Sequence, residues 1–207
     1  TREYIDAVRY IANASSGKMG YALAEEAFFR GAGKVVLISC AKSMPGPYGV
    51  DVRHVENTAG MKKEILEEFE SSDIIIMAAA VSDIVPEKSF KGKISKKDDL
   101  ISKIKFKLNE NILEILSTRK SKGQFLVGFA AESGYNIEGV AARMSAIALD
   151  MIVINDISRK DIGMESDFNE AGIIMEGKEL LKLKKAKKRI IAEGIWNEII
   201  NKISDRN

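Results

Sequence analysis

The sequence predicts an α/β protein built on a doubly wound, mostly parallel sheet, with a basic flap and a C-terminal strand-helix extension. Three observations lead there. Continuous apolar runs of strand length recur at Lys34–Ser39, Asp73–Ala80, Gln124–Ala130 and Asp150–Asn155, the pattern of strands covered on both faces. Helix-period segments separate them across short loops, as parallel strands require. A short polar, glycine-containing turn, Tyr10–Gly20 (Y-I-A-N-A-S-S-G-K-M-G), opens directly into a helix.

In chain order, Tyr4–Tyr10 is too short and mixed to assign, and it leads into the turn. The first helix is expected from about Gly17 to Arg30, with Ala22, Leu23, Ala27 and Phe28 on one face and Gly31 ending it. After the strand Lys34–Ser39, Pro45, Gly46, Pro47 and Gly49 make the next stretch a connector that cannot be helical. Val52–Val55 reads as a short strand, and Thr58 as the N-cap of a helix over Gly60–Ser71. Asp73–Ala80 reads as the most buried strand. Residues 86–100 form a basic segment with no apolar face, read as a surface flap, and Ile101–Leu108 alternates as a half-exposed strand. Asn109 or Asn111 can cap a helix over Ile112–Arg119, and a further helix spans about Ile137–Ala148. Gly172–Glu176 reads as a strand with a turn at Gly177, followed by the lysine-rich Lys178–Lys188 and a closing helix through Trp196–Ile203.

The turn carries the chemistry. A helix start leaves its first backbone N–H groups without intrahelical partners, so it can seat an anion. Ser15 and Ser16 suit capping, Gly17 and Gly20 permit close approach, and Lys18 adds positive charge. Asn13, just ahead, can donate and accept at once, which suits holding an acyl group beside phosphates. A capped helix start with no ligand remains an equal reading of this stretch alone. Four segments with polar groups, Asn13–Lys18, Ala79–Asp83, Gly128–Glu132 and Asn155 with Asp156, fall at predicted strand ends, where open α/β sheets gather ligands. Lys93, between Gly92 and Ile94 in the flap, is a candidate to close over a reacting phosphate, or else one exposed lysine among several.

Composition narrows the classes. With 32 basic and 30 acidic residues among 207, total charge implies no nucleic-acid partner. The single cysteine, Cys40, excludes an internal disulfide and fits a cytoplasmic setting, where a lone thiol is mostly a small buried hydrophobe. Apolar runs are too short to span a membrane. The only histidine, His54, lies far from the strand ends, so a Ser-His-Asp triad is not available. No metal-ligand spacing occurs, and neither G-x-G-x-x-G nor G-x-x-x-x-G-K-[ST] is present. What remains suits nucleotidyl or phosphoryl chemistry, with N–H groups and lysines neutralising phosphate charge.

The ordered motifs D-A-V-R-Y-I-A-N-A-S-S-G-K-M-G, A-A-A-V-S-D, G-K-I-S, V-G-F-A-A-E and I-V-I-N-D closely resemble phosphopantothenoylcysteine synthetase, the second half of the bifunctional coenzyme A biosynthesis flavoprotein. The resemblance covers nearly the whole chain. It implies a Rossmann-like fold and a ligase that joins 4′-phosphopantothenate to L-cysteine. In that family CTP or ATP activates the carboxylate as an acyl-nucleotidylate with loss of pyrophosphate, and the cysteine amine displaces the nucleotide. By that likeness Asn13 holds the acyl intermediate beside Ala80, Lys93 is the flap lysine and Arg9 serves the second half-reaction. Ser16, Gly17, Lys18, Met19, Ala78, Ala79, Asp83, Glu110, Asn111, Ile112, Leu113, Phe129 and Arg143 fall on nucleotide- or phosphate-binding positions. The resemblance also implies Mg2+ with the triphosphate, a homodimer whose flap reaches the other subunit's site, and an upstream flavin-dependent decarboxylase domain. The family's first strand is expected ahead of Thr1.

Some positions depart from the family pattern. N-E-N-I replaces N-P-D-I at Asn109–Ile112, K-I-S-K replaces K-I-K-K at Lys93–Lys96, and Ile147 stands where the second of two helix lysines is usual. CTP and ATP therefore both stay open. Two further classes stand beside the ligase: a non-catalytic nucleotide- or NAD(P)-binding domain on the same sheet edge, and a dimerisation module of a larger flavoprotein, with Ile101–Leu108 as the candidate interface edge.

Overall fold

The computed structural model describes residues 1–95, 101–134, 137–162 and 164–205; Lys96 of the K-I-S-K stretch lies outside them. The central sheet has five strands: β5 (Ile74–Met77), β8 (Phe125–Glu132), β9 (Met151–Asp156), β10 (Phe168–Met175) and β11 (Leu181–Lys187). β5, β8 and β9 run parallel, whereas β10 and β11 are antiparallel additions at the far edge.

Alternation along the strands builds two cores. Phe125 and Val127 of β8, with Met151 and Val153 of β9, face one layer, where they meet α1 (Lys18–Phe29) and α5 (Lys188–Ser204). Leu126, Ile152 and Ile154 face the other layer, with α2 (Thr58–Phe69), α3 (Ile112–Arg119) and α4 (Ile137–Ala146). Both faces are thus covered, which is why these strands read as unbroken apolar runs. The two helices of the first layer are also tied directly, the Trp196 indole N–H donating to the Leu23 carbonyl at 2.9 Å.

Outside this sheet β3 (Val36–Ser39) pairs in parallel with β4 (Asp51–His54). A hairpin of β1 (Glu3–Tyr4) and β2 (Tyr10–Ile11) lies against a second one, β6 (Ile84–Pro86) with β7 (Phe106–Leu108). Between β3 and β5 lies a cavity of about 1020 Å³, lined along its length by Val36–Ile38 and Ile74–Met77 and on its two sides by α1 and α2. Among the described residues each of these two strands is paired on its other edge alone. This slot explains a difference from expectation: Ile74–Ile76, read as the most buried strand residues, are only half-buried, as are Val36–Ile38.

Several local expectations are corrected. α2 is capped by Asn57, whose Oδ1 accepts from Gly60 N at 2.9 Å, and Thr58 is the first helical residue, its hydroxyl donating to Glu3 Oε1 at 2.7 Å. Asn111 caps α3. The lysine-rich stretch read as leading into the closing helix is instead β11, an edge strand that keeps most of its lysines in solvent, a common device for blunting a sheet edge. Only Phe106–Leu108 of the alternating segment is strand, and all three residues are exposed. Cys40 is half-buried, its thiol donating to the Glu56 carbonyl at 3.7 Å.

Candidate active site

The polar turn and the ends of the parallel strands meet. Asn13 Nδ2 donates to the carbonyls of Val81 at 3.1 Å and Ala80 at 3.4 Å, just beyond β5. The turn also packs against the end of β3, where a Cβ on Gly17 would lie 2.9 Å from Ala41 Cβ and Tyr21 Oη of α1 donates to the Ala41 carbonyl at 3.0 Å. β3 and β5 therefore deliver their C-terminal ends to the same place.

α1 begins without a side-chain cap. Its N-cap is Gly17, at φ 76°, in place of Ser15 or Ser16. Ser16 instead donates to the Met164 carbonyl at 2.9 Å, and its oxygen lies 3.5 Å from Lys18 N, at the limit of a hydrogen bond. Among the described residues the N–H groups of Met19 and Gly20 have no acceptor. An uncapped first turn of this kind is open to an anion. Lys18 donates to Asp167 at 2.5 Å and to the Glu165 carbonyl at 3.1 Å; its ammonium beside Asp167 holds that carboxyl below the usual range.

A second, small cavity of about 90 Å³ lies at this point. It is lined by Gly17–Gly20, by Ala78–Ala80 after β5, by Phe129–Ala131 of β8, by Asn155 and Asp156 of β9, and by Ile162, Met164, Asn169 and Lys188. Three strand ends and a helix start thus surround one space, the usual ligand position in such sheets. Asp156 does not present a free carboxylate there. Its Oδ1 accepts from Ser158 Oγ at 2.6 Å, Ser158 N at 2.9 Å and Gly134 N at 3.1 Å, and these bonds lower its pKa. Gly128 sits where a Cβ would come within 2.8 Å of Leu149 Cδ1 and 3.2 Å of Leu113 Cδ1, so the α3 start and β8 pack closely.

The other predicted residues form two further groups. Asn109 stitches the Glu110–Leu113 segment to Asp83: its N–H donates to the Asp83 carbonyl at 2.8 Å and its side-chain amide to the Ser82 carbonyl at 2.9 Å. Asp83 and Asn111 are exposed, Glu110 pairs with Lys62, and Ile112 is buried in the core. Arg143 pairs with Glu132 at the end of β8.

Arg9 and Lys93 lie together but apart from both cavities. Asp6 is buried and accepts from Val8 N, Arg9 N, the Arg9 guanidinium and Ile94 N, while Arg9 Nη2 donates to the Ile94 carbonyl at 2.7 Å. Phe90 N adds a bond to the Ile5 carbonyl at 2.9 Å. This lattice clamps the flap to the β1–β2 turn, buries Ile94 and leaves Lys93 exposed. The Arg9 guanidinium holds the Asp6 carboxyl far below the ordinary range. Asn155, Asn169 and Lys188 complete the cavity lining; the sequence reading places Asn155 at a strand end but has no signal for the other two. Lys188 is hidden in a lysine run, and only the change from strand to helix at Lys187–Lys188 turns it inward.

Fold and site define an α/β domain whose cleft lies at the C-terminal ends of parallel strands, beside a helix start with open N–H groups. The chain belongs to the DNA/pantothenate metabolism flavoprotein C-terminal domain family, whose model matches residues 1–203. It is 42% identical over 171 residues to the coenzyme A biosynthesis bifunctional protein CoaBC of Bacillus subtilis, covering 82% of this chain and 41% of the relative. It is 38% identical to the protein of the same name from Thermococcus kodakarensis over 214 residues, 96% of this chain and 48% of the relative. The chain thus spans about half the length of these curated relatives. Among solved structures, a crystal structure of the C-terminal domain of a CoaBC protein superposes with a TM-score of 0.81 at 31% identity, covering 99% of this chain and 93% of that one. A phosphopantothenate–cysteine complex of a Cab2 mutant, at 14% identity and a TM-score of 0.67, shares the fold. Among the described residues no helix is long and apolar enough to cross a membrane.

Proposed function

We propose that this chain joins 4′-phosphopantothenate to L-cysteine through an acyl-nucleotidylate, a step of coenzyme A biosynthesis. Family membership supports the reading, and the observation that carries it is the contact of Asn13 with the strand end at Ala80 and Val81, beside the uncapped start of α1. A carboxylate oxygen of the acid attacks the α-phosphorus of CTP or ATP, and the bond to pyrophosphate breaks. The cysteine amine then attacks the acyl carbon, the bond to the nucleotide oxygen breaks, and the amine proton leaves to solvent. We assign Asn13 to the acyl group and the N–H groups of Met19 and Gly20 to phosphate oxygens; Ala78, Ala79 and Phe129 line the small cavity, and Asp83, Glu110–Leu113 and Arg143, which lie outside it, are assigned to the nucleotide by family likeness.

Mg2+ is assigned to the phosphates of the nucleotide, which it commonly enters with; among the described residues no group of three His, Cys, Asp or Glu side chains could hold a metal. Because Arg9 and Lys93 lie away from the chain's own cleft, they are assigned to the cleft of a second copy in a homodimer. The exposed apolar residues Val8, Tyr10, Ile84, Phe106 and Leu108, the last 82% exposed, cluster on the two hairpins and support that pairing. By the same reading the chain works in the cytoplasm, fused downstream of a flavin-dependent decarboxylase domain.

The test is pyrophosphate release and product mass with CTP or ATP, phosphopantothenate, cysteine and magnesium, alongside calorimetry of each nucleotide. Release that requires the acid is the expected result. Tight dinucleotide binding, with neither CTP nor ATP bound and no release, overturns the ligase in favour of a non-catalytic NAD(P)-binding domain.

A further inference from the structure

Two side chains of the small cavity are more than nine-tenths buried: Lys188, 7% exposed, and Asn169, 3% exposed. Lys188 Nζ donates to the Met164 carbonyl at 2.7 Å, and among the described residues no carboxylate comes within ion-pair distance of it. An ammonium has three donors, so two remain. A buried cation met by one neutral oxygen is costly to the fold. Lys18, which also lines the cavity, adds a second positive charge; Asp167 is bonded to Lys18, and Asp156, the carboxylate in the lining, has its Oδ1 held by Ser158 and Gly134. Burial first, and Lys18 next, push the Lys188 ammonium's pKa down.

Asn169 fixes a third donor. Its Oδ1 accepts from Glu170 N at 3.0 Å, so its Nδ2 is the group that donates to Asn155 Oδ1 at 2.9 Å. With the oxygen of Asn155 thus occupied, its NH2 group is left for the cavity that Asn155 lines. The space is then bordered by the Lys188 ammonium, the Asn155 amide and the open N–H groups of α1, with Lys18 and Asp156, each already bonded elsewhere, also in its lining. At about 90 Å³ it is well below the ~300–1,000 Å³ of sites that enclose a whole drug-sized ligand.

We propose that Lys188 is a specificity-determining contact for the phosphomonoester dianion of the acid substrate, and that Asn169 is a positioning residue that turns the Asn155 amide toward that phosphate. The assignment rests on the ligase reading for the identity of the acid, whereas the preference for a small anion follows from Lys188 and the open start of α1. A terminal phosphate of the nucleotide is the other source of the same chemistry, and the kinetics separate the two.

In steady-state assays of the wild-type chain and its variants, Lys188→Met raises KM for phosphopantothenate by about 10- to 100-fold, the worth of a hydrogen bond to a charged group. KM for the nucleotide stays within about twofold of wild type, a difference too small to represent a lost charged contact. Lys188→Arg restores most of the affinity. Asn169→Asp, which still accepts from Glu170 N but repels Asn155 Oδ1, raises the same KM. Thermal melts of the ligand-free proteins supply the structural control: Lys188→Met melts no lower than wild type, and inorganic phosphate raises the melting temperature of wild type but not of Lys188→Met. A rise confined to the nucleotide KM, or a Lys188→Met protein that melts lower and loses both substrates equally, overturns the proposal. If wild type shows no ligation yet phosphate stabilises it through Lys188, the ligase reading fails and the anion site stands.

Discussion

Asn13 Nδ2 lies 3.1 Å from the Val81 carbonyl oxygen, so one amide joins the turn before α1 to the end of β5. Asn13→Asp replaces that donor with a carboxylate facing two carbonyl oxygens and an anion seat. Removal of a single positioned donor typically costs about 10²–10³ in kcat, and a fall of that size in acid-dependent pyrophosphate release is expected. Because Asn13 is exposed, the melting temperature should barely move. Full turnover in the variant removes Asn13 from the mechanism.

Gly17 holds α1's start in place. At φ 76° an L side chain is strained, and a Cβ there would lie 2.9 Å from Ala41 Cβ, an atom fixed to backbone. Left-handed strain of about 1–2 kcal/mol and overpacking of about 1–3 kcal/mol both apply. Gly17→Ala is therefore expected to lose roughly 2–4 kcal/mol in denaturant unfolding and to weaken stabilisation by inorganic phosphate. Undiminished phosphate stabilisation would show that the helix start is not the anion seat.

How much of this was legible beforehand follows from which signals are local. Continuous apolar runs gave β5, β8 and β9 because both faces of each are covered, and the turn at Asn13–Gly20 was visible as a helix start. Local rules put the cap on Ser15 or Ser16, but Ser16 has a tertiary alternative, the Met164 carbonyl 148 residues away, which no local rule weighs. The β1–β2 hairpin leaves no sequence signal because two-residue strands have no periodicity, and β11 leaves none because an edge strand rich in lysine resembles a solvated helix face. Asn169 and Lys188 enter the site only through the antiparallel turn-back of β10 and β11, a pairing that composition does not encode.

Asp6 anchors the flap, and its behaviour in acid is predictable. Its folded-state pKa is depressed, chiefly by the Arg9 hydrogen bond, against burial. Such a carboxylate contributes fully above its unfolded pKa of about 3.9 and loses that contribution as pH falls from there toward the lower folded value. Asp6→Asn should therefore melt lower than wild type at neutral pH, with the gap narrowing only below about pH 4. Hydrogen exchange at Phe90 and Ile94 should rise in the variant. A gap that does not change with pH in that range would mean that the Asp6 charge does not hold the flap.

The dimer assignment predicts complementation. Asn13→Asp and Lys93→Gln proteins, each inactive alone, form hybrids in which one cleft has both an intact asparagine and the other copy's intact lysine. With random pairing, half of the dimers are hybrids and each has one working site, so about a quarter of wild-type activity returns on mixing. No recovery, with exchange of subunits verified by mass, places Lys93 in its own subunit's cleft.

The slot between β3 and β5 makes the last prediction. Both strands point their C-terminal ends at the Asn13–Gly17 turn, both have an edge free toward a cavity of about 1020 Å³, and Thr1 and Arg2 line that cavity together with the same strand ends. An added strand running parallel to its neighbours would finish where Thr1 lies, so it can be joined ahead of Thr1 with a short connection. Its side chains would meet Leu23, Ala24 and Ala27 of α1 on one side and Met61, Ile65 and Phe69 of α2 on the other, which calls for apolar, β-branched residues on both faces. At about 3.3 Å per residue, roughly four to six residues match the length of β3 and β5. Fusing such a segment should merge the β3–β4 pair with the five-stranded sheet and slow amide exchange in β3 and β5. At about 1.5–3 kcal/mol for each fully buried large apolar side chain, the segment's own burial roughly offsets the entropy of ordering it; covering the half-buried Val36–Ile38 and Ile74–Ile76 supplies the surplus, and a rise in melting temperature of about 5 °C is expected. A segment with alternating charged residues should give no such rise. If the apolar segment leaves melting and exchange unchanged, the slot does not accept a strand, and the β3–β4 pair stands as an independent unit.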